Sequence, residues 1–231
     1  MRRVAPGPTC WTAALFDLDG TLVDTQPGVR AALVAAFIEV TGADPGTQRA
    51  NLSLPLADMI HSADPSVPPA LGRQLSAAFR RHYDAGCWKI SRLYPGAEMC
   101  LRDLGAAGVR TFVVTNKRRS AAERLLEHFG LAPHVEGVVG QPETGDPLPK
   151  AELAERCLVS AGLDPATTVV VGDSDHDVEM AASRSMTFIA VTSGAGPLGH
   201  ASAGEERVEV QSLAHATAFV LTGFRGGSRE P

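Results

Sequence analysis

The sequence has few cysteines and lysines, and it lacks any long apolar run. Its four cysteines are widely spaced and form no CxxC pair, which argues against a disulfide framework or a zinc site, so we expect them to be reduced and buried. No apolar run approaches the roughly 18 residues that span a bilayer. Acidic residues soon interrupt the apolar stretch near the N-terminus, which excludes a signal peptide. We therefore expect a cytoplasmic protein without a membrane partner.

A basic surface is also absent. The 231 residues carry 21 basic and 26 acidic side chains, a formal net charge of -5, and the pI is about 5.8. Nucleic acids and anionic membranes favour a clustered basic face, so we expect no nucleic-acid partner and favour a small-molecule ligand. A hydrophobic content of 44% at this length is enough for one domain, or for one domain with an insertion.

Short β-branched runs alternate with helical patterns over most of the chain. The runs lack polar alternation, as do strands buried on both faces of a parallel sheet; they cover 11–16, 109–114, 167–171 and 187–191, with a weaker candidate at 134–140. Glycine ends each intervening helical pattern, and these patterns cover 97–107, 120–129 and 151–161. The alternation predicts a doubly wound α/β domain with a parallel sheet.

The segment 26–94 breaks this alternation, because it contains helical patterns and no clear strand. We interpret it as a helical subdomain inserted into the α/β core, which would then consist of 1–25 and 95–231. The last residues, 223–231, are glycine-rich and are expected to form a frayed tail.

Polar residues follow three of the predicted strands. Asp17, Thr115 and Asp173 each stand at a strand end, where open α/β sheets bind their ligands. In an extended segment Asp17 and Asp19 point to the same side. Two adjacent carboxylates repel unless a cation lies between them, and oxygen ligands suit Mg²⁺. Each part also has a simpler interpretation, because a lone DxDG favours a turn and Asp173 alone could be a helix cap.

The order of these motifs resembles that of one known superfamily. LFDLDGTLVDT (15–25), VVTN (113–116), a lysine and VVVGDSDHD (169–177) follow the pattern of the haloacid-dehalogenase-like (HAD) phosphohydrolases. The segments 94–117 and 125–140 resemble its phosphoglycolate-phosphatase-like branch. The resemblance implies a Rossmann-like, three-layer core with an inserted all-helical cap.

The resemblance also implies roles for individual residues. Asp17 would be the nucleophile, and Asp19 would protonate the leaving group and then deprotonate water. Thr115 and Lys150 would complete the catalytic set. The residues implied in Mg²⁺ binding are Asp17, Asp19, Asp173 and, less directly, Asp177. Those implied in substrate binding are Asn116, Gly20, Thr21 and, in the cap, Arg49.

Two of these assignments have open alternatives. The chain has 3 lysines among its 21 basic residues, so a lysine at position 150 suggests a compact charge for a phosphoryl oxygen. By itself, Lys150 could equally begin a helix as a solvated residue. Arg49 would bind a distal anionic group of the substrate, or it would be a solvated surface arginine.

The motifs predict a Mg²⁺-dependent phosphomonoesterase that acts on a small anionic phosphorylated metabolite through an aspartyl-phosphate. The alternatives are a phosphomutase or phosphotransferase of the β-phosphoglucomutase type, and a catalytically silent phosphate-binding regulator. Asp19 argues against dehalogenation, because a halide leaves without a proton. The partner would be a small phosphate ester, the protein would be a monomer or homodimer, and the motifs leave the particular substrate open.

Overall fold

A computed structural model describes residues 11–52, 54–192 and 207–223. Ser53 and the part of the predicted tail beyond Gly223 lie outside the described residues. Of the cysteines, Cys100 and Cys157 are buried and Cys87 is partly exposed. Within the described ranges, no helix has the length and apolar character needed to cross a membrane.

The described chain forms eight strands and eight α-helices. The strands are β1 (Ala13–Phe16), β2 (Val23–Asp24), β3 (Arg92–Leu93), β4 (Arg110–Arg118), β5 (Gly137–Gln141), β6 (Thr168–Gly172), β7 (Thr187–Val191) and β8 (Arg207–Val210). The helices are α1 (Gln26–Thr41), α2 (Leu56–Ala63), α3 (Pro69–Ala85), α4 (Ala97–Ala106), α5 (Arg119–His128), α6 (Lys150–Ala161), α7 (Asp175–Ala182) and α8 (Leu213–Thr222).

Six of these strands form one sheet in the order β5-β4-β1-β6-β7-β8. Every neighbouring pair in it is parallel. The first strand in the chain, β1, therefore lies in the interior of the sheet, and the strand order reverses beside it. This arrangement confirms the predicted doubly wound α/β core, in which ligands bind at the carboxyl edge near the reversal.

The inner strands β1, β6 and β7 are buried on both faces of the sheet, which explains why their sequences show no polar alternation. Leu15 and Val170 face the layer formed by α6 and α7, where they pack with Leu153 and Met180. Their neighbours along the strands point to the opposite face, and Phe16 there is also fully buried. A parallel strand in a three-layer fold thus needs apolar residues on both sides.

The observed strands differ from the predicted ones at three places. The weak candidate at 134–140 is a strand, β5, displaced by a few residues. β4 continues through Thr115 to Arg118, and its pairing with β5 shifts register between Val114 and Arg118. β8 and α8 were not predicted, because the run RVEV is short and carries charged residues.

The chain divides into two compact units, 1–22 with 93–231 and 23–92. The second unit contains α1, α2 and α3, and its core is formed where α1 packs on α3. Leu33 and Phe37 of α1 and Leu75 of α3 are almost completely buried. The chain changes unit at the paired strands β2 and β3, within a few residues of the boundaries of the predicted subdomain 26–94.

Candidate active site

Asp17 lies directly after β1, at the carboxyl edge of the sheet. Its backbone N–H donates to the carbonyl of Val171 in β6 at 2.9 Å, so the β1–β6 pairing continues one residue beyond the strand. This bond fixes the backbone of Asp17 beside the end of β6. The side chain is buried, with 5% of the residue exposed.

Three carboxylates from separate parts of the sequence meet at this point. Ligand oxygens of Asp17, Asp173 and Asp177 all lie within 4.8 Å of one another. Asp17 follows β1, Asp173 follows β6, and Asp177 belongs to the first turn of α7. The predicted convergence of these strand ends is therefore present in the structure.

Two glycines make room for these carboxylates. Gly20 has a φ of +92°, and a Cβ at this position would lie 2.1 Å from Oδ2 of Asp173. A Cβ on Gly172 would lie 2.4 Å from Cγ of Asp177. Side chains at these positions would displace the acids, so both glycines are required by the close approach of a carboxylate.

Both carboxylate oxygens of Asp177 have contacts, Oδ2 at the start of α7 and Oδ1 with Lys150. Its Oδ2 accepts hydrogen bonds from the backbone N–H of Asp173 (3.3 Å), the N–H of Ser174 (3.1 Å) and the hydroxyl of Ser174 (2.6 Å). Ser174 is the N-cap of α7, and with Asp177 it forms a capping box. The helix cap is therefore Ser174 and not Asp173, which leaves Asp173 available to the site.

Lys150 is the cation of this cluster. Its Nζ lies 2.5 Å from Oδ1 of Asp17 and 2.6 Å from Oδ1 of Asp177. Only 5% of the residue is exposed, so the alternative of a solvated lysine is wrong. Lys150 begins α6, and its buried side chain joins two of the three acids.

Two carboxylates of the cluster, those of Asp17 and Asp173, have a pKa above that of a free aspartate. Burial, together with the charges of Asp177 and Asp173, raises the pKa of Asp17 well above its usual value, against the lowering effect of Lys150. Burial, followed by the charge of Asp177, raises the pKa of Asp173 to about 6. Burial disfavours the charged form of Lys150, but Asp17 and Asp177 together outweigh it and raise its pKa. Burial and repulsion between the acids thus oppose full ionisation of this cluster.

Asp19 lies outside the acid cluster of Asp17, Asp173 and Asp177, and its predicted part in metal binding stays a prediction. Its Oδ1 lies 2.9 Å from Nζ of Lys117, and 31% of its side chain is exposed. Lys117 ends the run VVTNK (113–117), and the sequence alone assigned it no role. A pairing between two positions about 100 residues apart leaves no local signal that could have revealed it.

Thr21, predicted to bind substrate, contacts the acid cluster in the structure, and its role in substrate binding stays a prediction. It is fully buried, and its hydroxyl donates to Oδ1 of Asp173 at 3.0 Å. Thr21 therefore orients a carboxylate of the cluster. Gly20, likewise predicted to bind substrate, acts in the structure as the spacer in front of Asp173.

Thr115 and Asn116 lie side by side in β4, in the part where its pairing with β5 shifts register, and they differ in exposure. Thr115 is buried, and its Oγ1 accepts the N–H of Lys117 at 3.1 Å. Asn116 is exposed, and its Oδ1 accepts a hydrogen bond from Nε2 of Gln141 at 3.4 Å. Their predicted contacts with a phosphate group remain predictions.

Arg49 belongs to the helical unit, where it is exposed at the end of a short 3₁₀ helix, Thr47–Arg49. The backbone of this helix is fixed by Asp44, which accepts the N–H groups of Gly46 and Thr47. Arg30 donates to the carbonyl of Thr47 at 2.7 Å. The side chain of Arg49 therefore extends from a well-anchored segment, and its role in binding substrate remains a prediction.

Comparisons with known proteins agree with this geometry. The family model described as haloacid dehalogenase-like hydrolase matches residues 14–191. A phosphoglycolate phosphatase of Cereibacter sphaeroides is 32% identical over 197 residues, which cover 78% of this chain and 84% of that protein. The "Probable phosphatase IndB" of Dickeya dadantii is 33% identical over 216 residues, covering 87% and 93%.

The tyrosine-protein kinase PtkA of Mycobacterium tuberculosis is a third relative. It is 31% identical over 189 residues, which cover 79% of this chain and 62% of the kinase, so the match spans less than two thirds of that protein. A solved structure of PtkA superposes with a TM-score of 0.75 at 26% identity, covering 94% of this chain and 100% of that one. With the family match and the phosphoglycolate phosphatase relative, these similarities show that the chain belongs to the haloacid dehalogenase-like hydrolase family, in its phosphoglycolate-phosphatase-like branch.

Proposed function

We propose that the protein is a Mg²⁺-dependent phosphomonoesterase that forms an aspartyl-phosphate on Asp17. The observation that supports this most is the convergence of Asp17, Asp173 and Asp177 within 4.8 Å at the carboxyl edge of the sheet, with Lys150 between two of them. Membership in a family of hydrolases and the phosphatases among its relatives support the same reaction.

The residues present fit a hard divalent cation. When all three carboxylates are ionised, as a bound cation would favour, they exceed the charge of the one ammonium by two, and every acid in the cluster offers only oxygen. Lys150 contacts Oδ1 of Asp17 and Thr21 contacts Oδ1 of Asp173, so the second oxygen of each carboxylate can serve as a ligand. Asp177, held from both sides, would act indirectly by positioning Lys150 and the backbone of Asp173. When bound, Mg²⁺ would neutralise charge on the carboxylates and on a phosphoryl oxygen.

The side chains of the core would then divide the reaction into two displacements. An oxygen of Asp17 attacks phosphorus as the bond to the leaving oxygen breaks, and Asp19 gives its proton to that oxygen. In the second step Asp19 takes a proton from water, whose oxygen attacks phosphorus and releases inorganic phosphate and the Asp17 carboxylate. Acid–base help of this kind contributes about 10²- to 10⁴-fold.

Lys150, Thr115 and Asn116 would hold the phosphoryl group. The ammonium of Lys150 lies beside the attacking carboxylate and would contact a phosphoryl oxygen, where it offsets developing charge. Thr115 would donate from its hydroxyl. In the helical unit, Arg49 would bind the distal anionic group of the substrate.

A small anionic phosphate ester is the proposed substrate class, and phosphoglycolate is the first candidate because relatives are named for it. Phosphotransfer is the second candidate function, and the specific observation in its favour is the similarity to a tyrosine-protein kinase. A phosphomutase would use the same core residues. A cytoplasmic location and a monomeric or homodimeric state stay predictions from the sequence.

The test is turnover of an aryl phosphate with and without Mg²⁺, with release of inorganic phosphate as the measurement. We expect steady release that EDTA abolishes and that Asp17→Asn removes, while this variant keeps its fold by circular dichroism. Asp175→Asn is the matched control, because Asp175 is exposed on the same edge and lies outside the acid cluster.

Two results would contradict the proposal. Turnover that survives in Asp17→Asn would show that another group attacks phosphorus. A single burst of leaving group without turnover, followed by transfer of phosphate to an added tyrosine peptide or sugar phosphate, would favour phosphotransfer.

A further inference from the structure

The segment between β5 and α6 contains a buried amide that the proposed reaction does not use. Gln141 is the last residue of β5 and is 9% exposed. The six residues after it, 142–147, are exposed, and Lys150 follows shortly afterwards. The backbone after this exposed segment must therefore have a defined conformation, because it has to place a buried lysine between two aspartates.

The side chain of Gln141 joins the two ends of this exposed segment. Its Nε2 donates to the carbonyl of Leu148 at 2.8 Å, and its Oε1 accepts the N–H of Leu148 at 2.8 Å. One amide thus satisfies both backbone groups of a single residue, as a neighbouring strand would. Because each end has its own partner, these bonds also fix the orientation of the amide.

The local sequence offers few other ways to fix this point. Leu148 lies between Pro147 and Pro149, neither of which has a backbone N–H. Pro149 is the N-cap of α6, and no side chain caps that helix end. The N–H of Leu148 is therefore the one backbone donor of this tripeptide, and Gln141 accepts it.

Gln141 also contacts a second part of the site. Its Nε2 lies 3.4 Å from Oδ1 of Asn116, the exposed residue that follows Thr115 in β4. The same amide thus joins the part of β4 that carries Thr115 to the segment that leads into Lys150.

We propose that Gln141 is a positioning residue that sets the place of Lys150 through its two hydrogen bonds to Leu148. The inference rests on the proposed function only for the role of Lys150 in the reaction. The placement of Lys150 between Asp17 and Asp177 is a structural property that can be measured without turnover.

The first test is a double-mutant cycle on stability in EDTA, measured by urea denaturation. Gln141→Met, Lys150→Met and the double variant are compared with the parent chain. If Gln141 holds Lys150 in place, the double variant loses less stability than the sum of the two single losses. Additive losses would overturn the proposal, and this result does not depend on which reaction the protein catalyses.

Thr111→Val provides the matched control. The Thr111 hydroxyl makes a comparable buried bond, to the carbonyl of His134 at 2.6 Å, near the start of β4 and away from the carboxyl edge. We expect its stability loss to add to that of Lys150→Met and its turnover to equal that of the parent chain.

The second test is steady-state kinetics on an aryl phosphate with Mg²⁺. We expect Gln141→Met to lower kcat by about ten- to a hundredfold through misplacement of Lys150, with KM changed much less. Gln141→Glu keeps the acceptor for the N–H of Leu148 but loses the donor to its carbonyl, so its loss of kcat should be intermediate. This variant replaces Gln141→Met in the test if the methionine variant does not fold. An unchanged kcat in a folded variant would overturn the proposal, whereas absent activity in the parent chain would count against the proposed function alone.

Discussion

At the residue scale, the site depends on how closely backbone and carboxylates approach one another. Gly20 and Gly172 lie where a Cβ would occupy the space of Asp173 and Asp177. The sequence showed these glycines only as parts of motifs. Their physical purpose is to let two acids from a distant segment come within reach of Asp17.

Gly20→Ala should therefore weaken the site by more than its backbone conformation alone explains. Gly42 is the matched control, because its φ of +81° is similar but no atom lies within 4 Å of an added Cβ. Gly42→Ala should cost about 1–2 kcal/mol, the usual penalty of a left-handed alanine. We expect Gly20→Ala to cost more in urea denaturation and also to lower Mg²⁺ affinity in titrations followed by thermal shift. Equal costs and unchanged affinity would mean that Asp173 moves aside without consequence.

At the element scale, the start of α7 combines helix capping with construction of the site. Ser174 caps the helix in partnership with Asp177, and the same Asp177 contacts Lys150. The capping bond thus fixes one end of a chain of contacts that reaches Asp17. A helix terminus that could have been stabilised in many ways is stabilised here by an acid of the cluster.

Ser174→Ala should accordingly affect stability and turnover together. Loss of an N-cap costs about 0.5–2 kcal/mol, and release of Oδ2 of Asp177 should also reduce turnover of an aryl phosphate. Ser212 caps α8 by accepting from His215 N–H, so Ser212→Ala is the control with a similar stability loss and parental turnover. Parental turnover in both variants would limit Ser174 to a capping role.

At the scale of the whole molecule, the acid cluster links stability to pH and to metal. The pKa of Asp173 rises from 3.8 to about 6 on folding, through burial first and then the charge of Asp177. The folded metal-free protein therefore binds this proton more tightly than the unfolded chain does. The stabilisation is fully present below about pH 4 and is lost as pH rises through about 6.

In EDTA we expect the free energy of unfolding to fall between pH 4 and pH 7, and Asp173→Asn should reduce this fall by on the order of 2–3 kcal/mol. Saturating Mg²⁺ should restore stability at pH 7 in the parent chain, by about 2.7 kcal/mol at a hundredfold excess over Kd, and not in Asp173→Asn. Urea denaturation across pH, with Asp175→Asn as the control, checks both statements. A parallel fall in parent and variant would show that Asp173 does not carry this dependence.

Some features of this protein leave local signals in the sequence, and others do not. The sheet, its helices and the strand-end positions of Asp17 and Asp173 were predictable, because buried parallel strands and glycine-terminated helices leave periodic signals. Thr115 was expected at a strand end, but β4 continues past it to Arg118. β8 was missed because a short strand with charged residues resembles a loop. The pairing of Asp19 with Lys117 and the hydroxyl bond of Thr21 were missed because neither has a local signal.

The sequence by itself determined which residue types stand at the ends of the strands, since β-branched runs, turn glycines and acids are local features of the chain. Only the tertiary structure decided which of those acids share one site, because Lys150, Asp173 and Asp177 reach Asp17 across more than 130 residues of sequence. Such contacts depend on strand order and on close backbone approach, which arise when β1 inserts between β4 and β6. The physical reason is that burial and charge pairing act through space, whereas the sequence records only neighbours along the chain.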